Sequence, residues 1–483
     1  MFKKLSLKAW IIIALCVVIL LTVFLACLIT ATLKDEHIFQ YKLNADRNSY
    51  SIVDIKSTYR GGWFARKTIT VPSTHRGKPV TVIQQIKDLQ QTDTVVIPDS
   101  VTELGASAFY GSNITYIKVP DSVKKIGTSA FENCVKLTDV QLPSKLTTIS
   151  GGMFRSCFSL ANITLPESVL TIGKGAFANC YALESIELPS KVTSIDQETF
   201  ADCYGLTSIE LPSRLNAIGE NAFRSCYSLV EICNNSSLTI EVGNDRAHGQ
   251  IAHYALNVYS DTDGESHLNY TEAGDTFYVD GAKVLYVKHY GVDTKLTLPS
   301  KFNGVNYTIH DYAFYGDRNI EEVTIPDGVT EIGYDAFENC RALRKVSIGD
   351  NVTIVKEYAF QNCQKLTDVH FGSAIQTIES KAFYECMALD KIVLPDSLEV
   401  IGNEAFAECG LLKDITIGKG IRQIGDKAFY NDIRFTELKF GGTVAQWNQV
   451  QLGSQWSWDN NYTKNAPSCE KVICSDGEVV IAA

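Results

Sequence analysis

The stretch Ile172-Gly-Lys-Gly-Ala-Phe177-Ala-Asn-Cys180-Tyr-Ala-Leu183-Glu-Ser-Ile-Glu-Leu-Pro189 is one copy of a pattern that recurs through the chain. Its phenylalanine repeats in two series with steps of 22 or 23 residues, at Phe109, Phe131, Phe154, Phe177, Phe200 and Phe223, and at Phe314, Phe337, Phe360, Phe383, Phe406 and Phe429. A fixed period of this length indicates a solenoid, in which each repeat forms one coil.

Each repeat divides into a strand and a turn. The segment Leu206-Thr-Ser-Ile-Glu-Leu211 alternates apolar and polar residues, as a half-buried strand does, and Pro212 then ends it. The second half, Ile218 to Phe223, is too short for a long helix and predicts a tight turn or a 3₁₀ piece. Because one coil cannot bury its own apolar face, neighbouring coils must stack at about 4.8 Å per coil.

These repeats resemble the BspA type of leucine-rich repeat. The residues that carry the resemblance in one pass are Gly173, Ala176, Phe177, Cys180, Leu183, Ile186, Leu188 and Pro189. The resemblance implies a leucine-rich-repeat solenoid with a parallel β-sheet and short 3₁₀ or turn elements on the other side. It also implies a cell-surface role, since BspA-like proteins look like bacterial adhesins that attach to host matrix proteins or to other cells.

The repeats form two blocks, residues 97–233 and 309–440, with related units around them. An N-terminal cap is expected at 34–96 and a C-terminal cap at 441–483, where Trp447, Trp456 and Trp458 cover the end of the core. Residues 234–308 keep traces of the pattern, and we interpret them as a linking unit that continues the solenoid.

The N-terminus predicts a membrane anchor. Residues 9–33 carry no charge, and a helix of that length would span a bilayer, after a basic stub at residues 1–8. Three lysines before this segment and Asp35 and Glu36 after it place the N-terminus in the cytoplasm and the solenoid outside the cell. A cleaved signal peptide and a lipid-modified Cys27 are the two alternatives.

The charge of the chain excludes one class of partner. The chain has 44 basic and 55 acidic residues among 483, and three of its lysines precede the apolar segment. A surface this acidic repels a phosphate backbone, and no basic stripe offsets it. We therefore expect no binding to nucleic acid.

The cysteines follow the repeat. Nine of them occupy the place three residues after the phenylalanine, and we call them the ladder cysteines: Cys134, Cys157, Cys180, Cys203, Cys226, Cys340, Cys363, Cys386 and Cys409. One cysteine per coil at a fixed place predicts a buried, reduced thiol that acts as a small apolar side chain with a weak S–H donor. Cys233 falls where the strand should face solvent, and Cys469 and Cys474 could pair in the C-terminal cap.

No pattern of catalytic or metal-binding residues emerges. The eight histidines do not form a zinc-ligand spacing with cysteines or carboxylates. Asp261, Asp263, Glu265 and Glu272 imitate a calcium loop, but Ser266 stands where the sharp turn needs glycine, so an acidic surface loop is the favoured interpretation. We expect no cofactor, no metal and no enzymatic activity.

Two columns of residues are candidates for ligand binding. Along the strands of the first block the outward positions include four acids and no base, and the candidate residues are Asp139, Gln141, Glu187, Glu210 and Glu231. One residue after the ladder cysteine stand four aromatic side chains on consecutive coils, Phe158, Tyr181, Tyr204 and Tyr227. Rigid aromatic residues are favoured at interfaces. The alternatives are a solvated sheet face and packing between adjacent coils.

Together these features predict a membrane-anchored extracellular leucine-rich-repeat protein that binds a protein ligand on host or neighbouring cells. A structural envelope protein that scaffolds other membrane components is the alternative.

Overall fold

The computed structural model describes residues 37–56, 67–87, 89–244, 247–432, 434–459 and 466–481. The chain divides into two units by its internal contacts. Unit 1 comprises the residues up to Cys203, Ile209–Cys226 and Asn234–His253, and unit 2 comprises Tyr204–Ser208, Tyr227–Cys233 and the residues from Tyr254 onward. No helix within the described residues is long and apolar enough to cross a bilayer. The predicted anchor at residues 9–33 lies outside the described residues.

Short strands dominate both units. The first sixteen are β1 (Phe39–Leu43), β2 (Tyr50–Ile55), β3 (Thr68–Thr70), β4 (Thr74–His75), β5 (Lys78–Ile83), β6 (Thr94–Val96), β7 (Glu103–Leu104), β8 (Tyr116–Lys118), β9 (Lys125–Ile126), β10 (Asp139–Gln141), β11 (Thr148–Ile149), β12 (Thr171–Ile172), β13 (Ser194–Ile195), β14 (Ser208–Leu211), β15 (Ala217–Ile218) and β16 (Glu231–Asn234).

The remaining strands are β17 (Asn257–Tyr259), β18 (Leu268–Tyr270), β19 (Asp275–Asp280), β20 (Lys283–His289), β21 (Lys295–Thr297), β22 (Tyr307–Ile309), β23 (Glu322–Ile325), β24 (Val329–Ile332), β25 (Lys345–Ile348), β26 (Ile354–Val355), β27 (Asp368–His370), β28 (Thr377–Ile378), β29 (Lys391–Leu394), β30 (Val400–Ile401), β31 (Asp414–Ile417), β32 (Gln423–Ile424), β33 (Glu437–Phe440), β34 (Gln451–Leu452), β35 (Trp458–Asp459), β36 (Ala466–Pro467), β37 (Lys471–Cys474) and β38 (Gly477–Val480). The described helical pieces are α1 (Val444–Trp447) and one 3₁₀ turn, His248–Gln250.

The strands stack in parallel, which confirms the predicted leucine-rich-repeat solenoid. Each coil contributes to two sheets. The strand after the ladder cysteine forms one of them, such as β10-β8-β6-β3 in unit 1 and β21-β23-β25-β27 and β29-β31-β33-β37-β38 in unit 2. The outward side of the sheet formed by the strands after the ladder cysteines is called the strand face below. The strand that precedes the turn of each coil forms the other sheet, which in unit 2 runs through ten strands from β18 to β34. Its first two pairings, β18 with β19 and β19 with β20, are antiparallel.

The second half of each coil is a turn rather than a 3₁₀ helix. Two residues per coil, two positions before and two after the phenylalanine, have positive φ. In one coil these are Gly175 at +60° and Asn179 at +61°. Glycine and asparagine tolerate this left-handed conformation better than other residues, which explains their frequency at these places.

Stacked phenylalanines form the centre of the core. Within unit 1 the consecutive rings from Phe109 to Phe223 lie 5.2 to 5.6 Å apart, and in unit 2 those from Phe314 to Phe429 lie 4.6 to 5.5 Å apart. All are nearly parallel and buried. At the C-terminal end Trp447 and Trp456 are buried against Phe440 and Phe429, as expected for an end cap.

The ladder cysteines line the core as reduced thiols. Each thiol donates to the carbonyl oxygen of the phenylalanine one coil earlier, as Cys180 does to Phe154 at 3.2 Å and Cys386 to Phe360 at 3.2 Å. The cysteine therefore satisfies a buried carbonyl that an alanine would leave without this donor. Asp432 takes the same place in the last coil, where its carboxylate accepts from the backbone N–H of Cys409 at 2.9 Å.

The strand-face sheet is not continuous in either unit. In unit 2 the N–H of Gly418 donates to Leu394 and that of Gly441 donates to Ile417, continuing the ladder from coil to coil. Proline at the same place has no N–H to donate. Residues 161–166 and 183–189 form no strand, so in unit 1 the ladder stops after β10, before the coil that contains Pro166. In unit 2 it stops between β27 and β29, and β29 precedes Pro395. Proline alone does not suffice, because β10 precedes Pro143 and still pairs with β8.

Candidate binding surface

Four of the candidate acidic and polar residues lie on the exposed strand face of the first block. Asp139 and Gln141 are the first and last residues of β10, Glu187 and Glu210 lie on later coils, and all four side chains are exposed. No ion pair joins Asp139, Glu187 or Glu210 to another described residue. The alternating strand pattern therefore predicts correctly that these carboxylates are exposed to solvent.

Glu231 does not belong to this exposed surface, so the prediction that it faces solvent is wrong. Its side chain is 1% exposed. One carboxylate oxygen accepts from the backbone N–H of His267 at 2.5 Å, and the other accepts from the hydroxyl of Ser266 at 2.6 Å. A loop of the linking unit thus covers a strand-face position that is exposed to solvent in earlier coils, such as at Asp139.

Cys233 is buried by the same part of the linking unit. It is 8% exposed, and its thiol donates to the carboxylate of Asp261 at 3.4 Å, which overturns the predicted solvent position. Strand β17 pairs in parallel with β16 here and supplies the cover. The acidic loop that imitates a calcium site therefore contacts β16, and the described residues include no group of three or more ligands that could hold a metal ion.

Cys469 and Cys474, which could have paired, are both free thiols.

Two residues of the aromatic column lie in unit 1. In unit 1, Phe158 and Tyr181 stack with their ring centroids 4.7 Å apart and their planes 5° apart, and both are half-buried. Such a pair keeps ring edges accessible while each ring packs on the next coil. Stacking between coils, the alternative raised by the sequence, accounts for this contact.

Tyr204 and Tyr227 belong to a five-tyrosine cluster within unit 2. They stack on each other at 5.4 Å, and Tyr227 also stacks on Tyr312 at 4.3 Å. Tyr254 and Tyr315 meet Tyr227 edge-on at 5.3 and 4.7 Å. Burial raises the pKa of the Tyr312 and Tyr315 phenols above their ordinary value. Three of the five come from later in the chain, so the period of the first block could not reveal this cluster.

A groove opens at two interruptions of the strand-face sheet, one in each unit. The first groove, of about 770 Å³, lies between β10 and residues 161–167 in unit 1, and its lining includes Asp139, Gln141, Asn162 and Glu167. The second groove, of about 590 Å³, lies between β27 and β29 in unit 2, and its lining includes Asp368 and Asp390. Both grooves are lined by polar and apolar residues together, and both are bordered by a strand edge that has no partner strand.

The charges of the two grooves differ. In the second groove, Asp368 pairs with Lys345 at 3.3 Å and Asp390 pairs with Lys413 at 3.7 Å. In the first groove, the exposed carboxylates of Asp139 and Glu167 have no ion pair with any described residue, and no lysine, arginine or histidine lines the groove. The second groove is also lined by one further acid, Asp350, and one base, Lys391, so its charges balance, whereas the first groove is lined by two acids and no base.

One buried acid–base cluster exists in the linking unit, but it is closed to a ligand. The imidazole Nδ1 of His289 lies 2.9 Å from the carboxylate of Asp275, which also accepts from the hydroxyl of Tyr286 at 2.6 Å. Burial favours a higher pKa for Asp275, but the hydrogen bonds from His289 and Tyr286 outweigh it and lower the pKa. All three side chains are buried, so the cluster ties β19 to β20.

Comparison with known families identifies the repeat. A profile of the BspA type leucine rich repeat region matches in six copies, over residues 86–183, 151–244 and 300–449, which together exceed half of the chain. No curated protein matches the sequence.

Several solved structures resemble the chain. A leucine rich cell surface protein from Faecalibacterium prausnitzii A2-165 has 27% identity, with 86% of this chain and 96% of that chain covered and a TM-score of 0.37. A leucine-rich repeat protein from Bacteroides ovatus has 21% identity, coverage of 86% and 97%, and a TM-score of 0.32. The pneumococcal vaccine antigen PcpA has 16% identity, coverage of 92% and 98%, and a TM-score of 0.27. With TM-scores below 0.5, these likenesses add nothing about function to the family match.

Proposed function

Since the chain belongs to the BspA-type leucine-rich repeat family, we propose that it is a surface binding module, an adhesin that recognises a protein on host or neighbouring cells. The observation that carries the proposal is the exposed, polar strand face of the first block. Repeat proteins bind through the variable positions of successive coils, which present one extended surface. Here Asp139, Gln141, Glu187 and Glu210 occupy those positions and are exposed.

The aromatic pair of unit 1 extends this proposed binding surface. Phe158 and Tyr181 stand at the turn that leads into the strands and are half-buried, so part of each ring stays accessible. Tyr204, Tyr227 and Glu231 make internal contacts and are assigned no role in binding. The proposal gives the chain no cofactor and no catalytic role.

The predicted anchor and domain organisation complete the proposal. Residues 9–33 hold the chain in the membrane with its N-terminus in the cytoplasm and its repeats outside. The linking unit at 234–308 connects the two blocks and covers β16. In this arrangement the strand face of the first block is presented to the exterior.

Protease shaving of intact cells that express the chain tests the location. Antibodies against each repeat block should lose their signal, while a short N-terminal fragment stays in the membrane. If both blocks remain protected until the membrane is opened, the solenoid lies inside and the adhesin proposal fails.

Adhesion is tested separately with the same cells on a panel of immobilised extracellular-matrix proteins. Cells that express the chain should adhere to at least one of them, and the variant E187Q/E210Q should adhere less. Equal adhesion of cells with and without the chain on the whole panel would contradict the proposal.

A further inference from the structure

We propose that the first groove binds an extended polypeptide segment of a separate protein through a lysine or arginine side chain and through main-chain pairing with β10. The inference rests on the proposed binding function and specifies its partner. It starts from the interruption of the strand-face sheet between β10 and residues 162–164.

The open edge of β10 supplies main-chain hydrogen-bonding groups. The N–H of Asp139 donates to Thr115, and the carbonyl of Gln141 accepts from Val119, so both residues bond toward β8. Because successive residues of a strand direct their backbone groups to opposite sides, the N–H and carbonyl of Val140 face the groove. An extended peptide can pair with such an edge as an added strand.

The negative charge of the first groove favours a cationic side chain on the bound segment. Asp139 and Glu167 are exposed, border the same groove and have no ion pair within the described part of the chain. The nearest base on the preceding strand, Lys118, stands opposite Gln141, whereas Asp139 stands opposite Tyr116. A cationic side chain on the bound segment complements the two carboxylates, and a carboxylate there is repelled.

The polar lining suits a peptide better than an apolar ligand. Gln141, Asn162 and Thr164 are exposed along the groove, and the apolar lining residues Val140 and Ile163 are buried. The other apolar lining residues, Leu142 and Pro166, are half-buried. Amide and hydroxyl groups can bond to the main chain of a bound segment at its solvent side. The groove therefore offers polar contacts on both walls and no aromatic surface for stacking.

The second groove is a natural control. It has the same kind of strand interruption, but Lys345 and Lys413 pair with Asp368 and Asp390, and its lining adds the base Lys391 beside the third acid, Asp350. The structure therefore predicts that a basic peptide binds the first groove and not the second. This contrast separates recognition at one site from general attraction to an acidic protein.

Peptide binding to the full chain, purified in detergent, tests the inference by fluorescence polarisation. The probes are three labelled hexapeptides with blocked ends: alternating threonine and lysine, alternating threonine and glutamate, and the lysine peptide with alternate amides N-methylated. At 150 mM salt the lysine peptide should bind, and the other two should bind at least about tenfold more weakly. The variant D139N/E167Q should lose about tenfold in affinity for the lysine peptide, whereas D368N/D390N should keep it.

Three results would overturn the inference. These are no binding of the lysine peptide, an equal loss in the two double variants, and equal binding of the N-methylated peptide. Circular dichroism of both variants confirms that the exposed substitutions leave the fold intact. The result is independent of cell location and of adhesion to matrix proteins, so a failure here leaves the adhesin proposal standing, and a failure of adhesion leaves the peptide measurement valid.

Discussion

The strand faces of the two units are built from the same repeat but treat charge differently. In unit 2, Lys295 pairs with Glu322 at 2.7 Å across neighbouring strands. Lys345 then pairs with Asp368, and Lys471 pairs with Glu437 at 2.8 Å. In unit 1 the exposed acids Asp139, Glu187 and Glu210 have no such partners among the described residues. The repeat thus fixes where these side chains lie. The residue types at the variable positions determine whether an exposed acid pairs with a lysine or has no ion pair.

The core beneath the two faces is alike, and raising the pH should destabilise both units more than any single substitution. Burial raises the pKa of the Cys180 thiol to about 12, from an ordinary value near 9. The unfolded thiol therefore ionises from pH 9 upward while the folded thiol keeps its proton, so stability is complete below pH 9 and falls as pH rises toward 12. We expect a loss of about 1.4 kcal/mol at pH 10 for this thiol alone.

Urea denaturation at pH 8, 9 and 10 checks this expectation, and the other ladder cysteines should add to the fall. The variant C180A, measured over the same range, should show a shallower pH dependence. A stability that does not change between pH 8 and 10 would contradict the buried, protonated ladder.

Removing one ring of the stacked core should cost nearly the same in either unit. Phe177 and Phe360 are both 0% exposed and stack on a phenylalanine at each side. Each of the variants F177A and F360A should lose about 3–5 kcal/mol of stability through the cavity it creates. Hydrogen exchange resolved by peptide measures the loss in each unit, and a much smaller loss in one of them would show that its core is not equivalent.

Removing one tyrosine ring should cost more stability in unit 2 than in unit 1. Tyr312 contacts Tyr227, Tyr254 and Tyr315, so Y312A removes several ring contacts and should cost about 2 kcal/mol. Tyr181 is half-buried and stacks on Phe158 at 4.7 Å, and Y181A should cost about 1 kcal/mol or less. Thermal unfolding compares the two, and equal losses would argue against a separate structural cluster in unit 2.

The charges of the strand face should have the smallest effect on stability. Lys345 stands in register with Glu322 on one side and with Asp368 on the other. The variant K345E places three acids in a row and should lose about 1 kcal/mol, and K345Q should lose less. Both losses should shrink in high salt, and a salt-independent loss would show that packing of the lysine stem matters more than its charge.

Much of the fold could be predicted because the repeat is strict. The places of Phe177, Cys180 and Leu183 recur at one period, and burial follows from it directly. The same period predicts Asp139, Gln141, Glu187 and Glu210 as exposed, which the structure confirms. It fails for Glu231 and Cys233, because the residues that bury them lie in the linking unit, where the repeat has almost disappeared.

The periodic pattern alone predicts the stacking of coils, the buried thiol ladder and the acidic strand face. Each of these depends on contacts between residues one period apart, which a periodic pattern specifies locally. The folded chain shows, as the pattern does not, which acids are buried, which tyrosines contact each other and where the sheet opens into a groove. Those features depend on contacts between segments without a common register, and on whether a backbone N–H is present at the point where two strands meet.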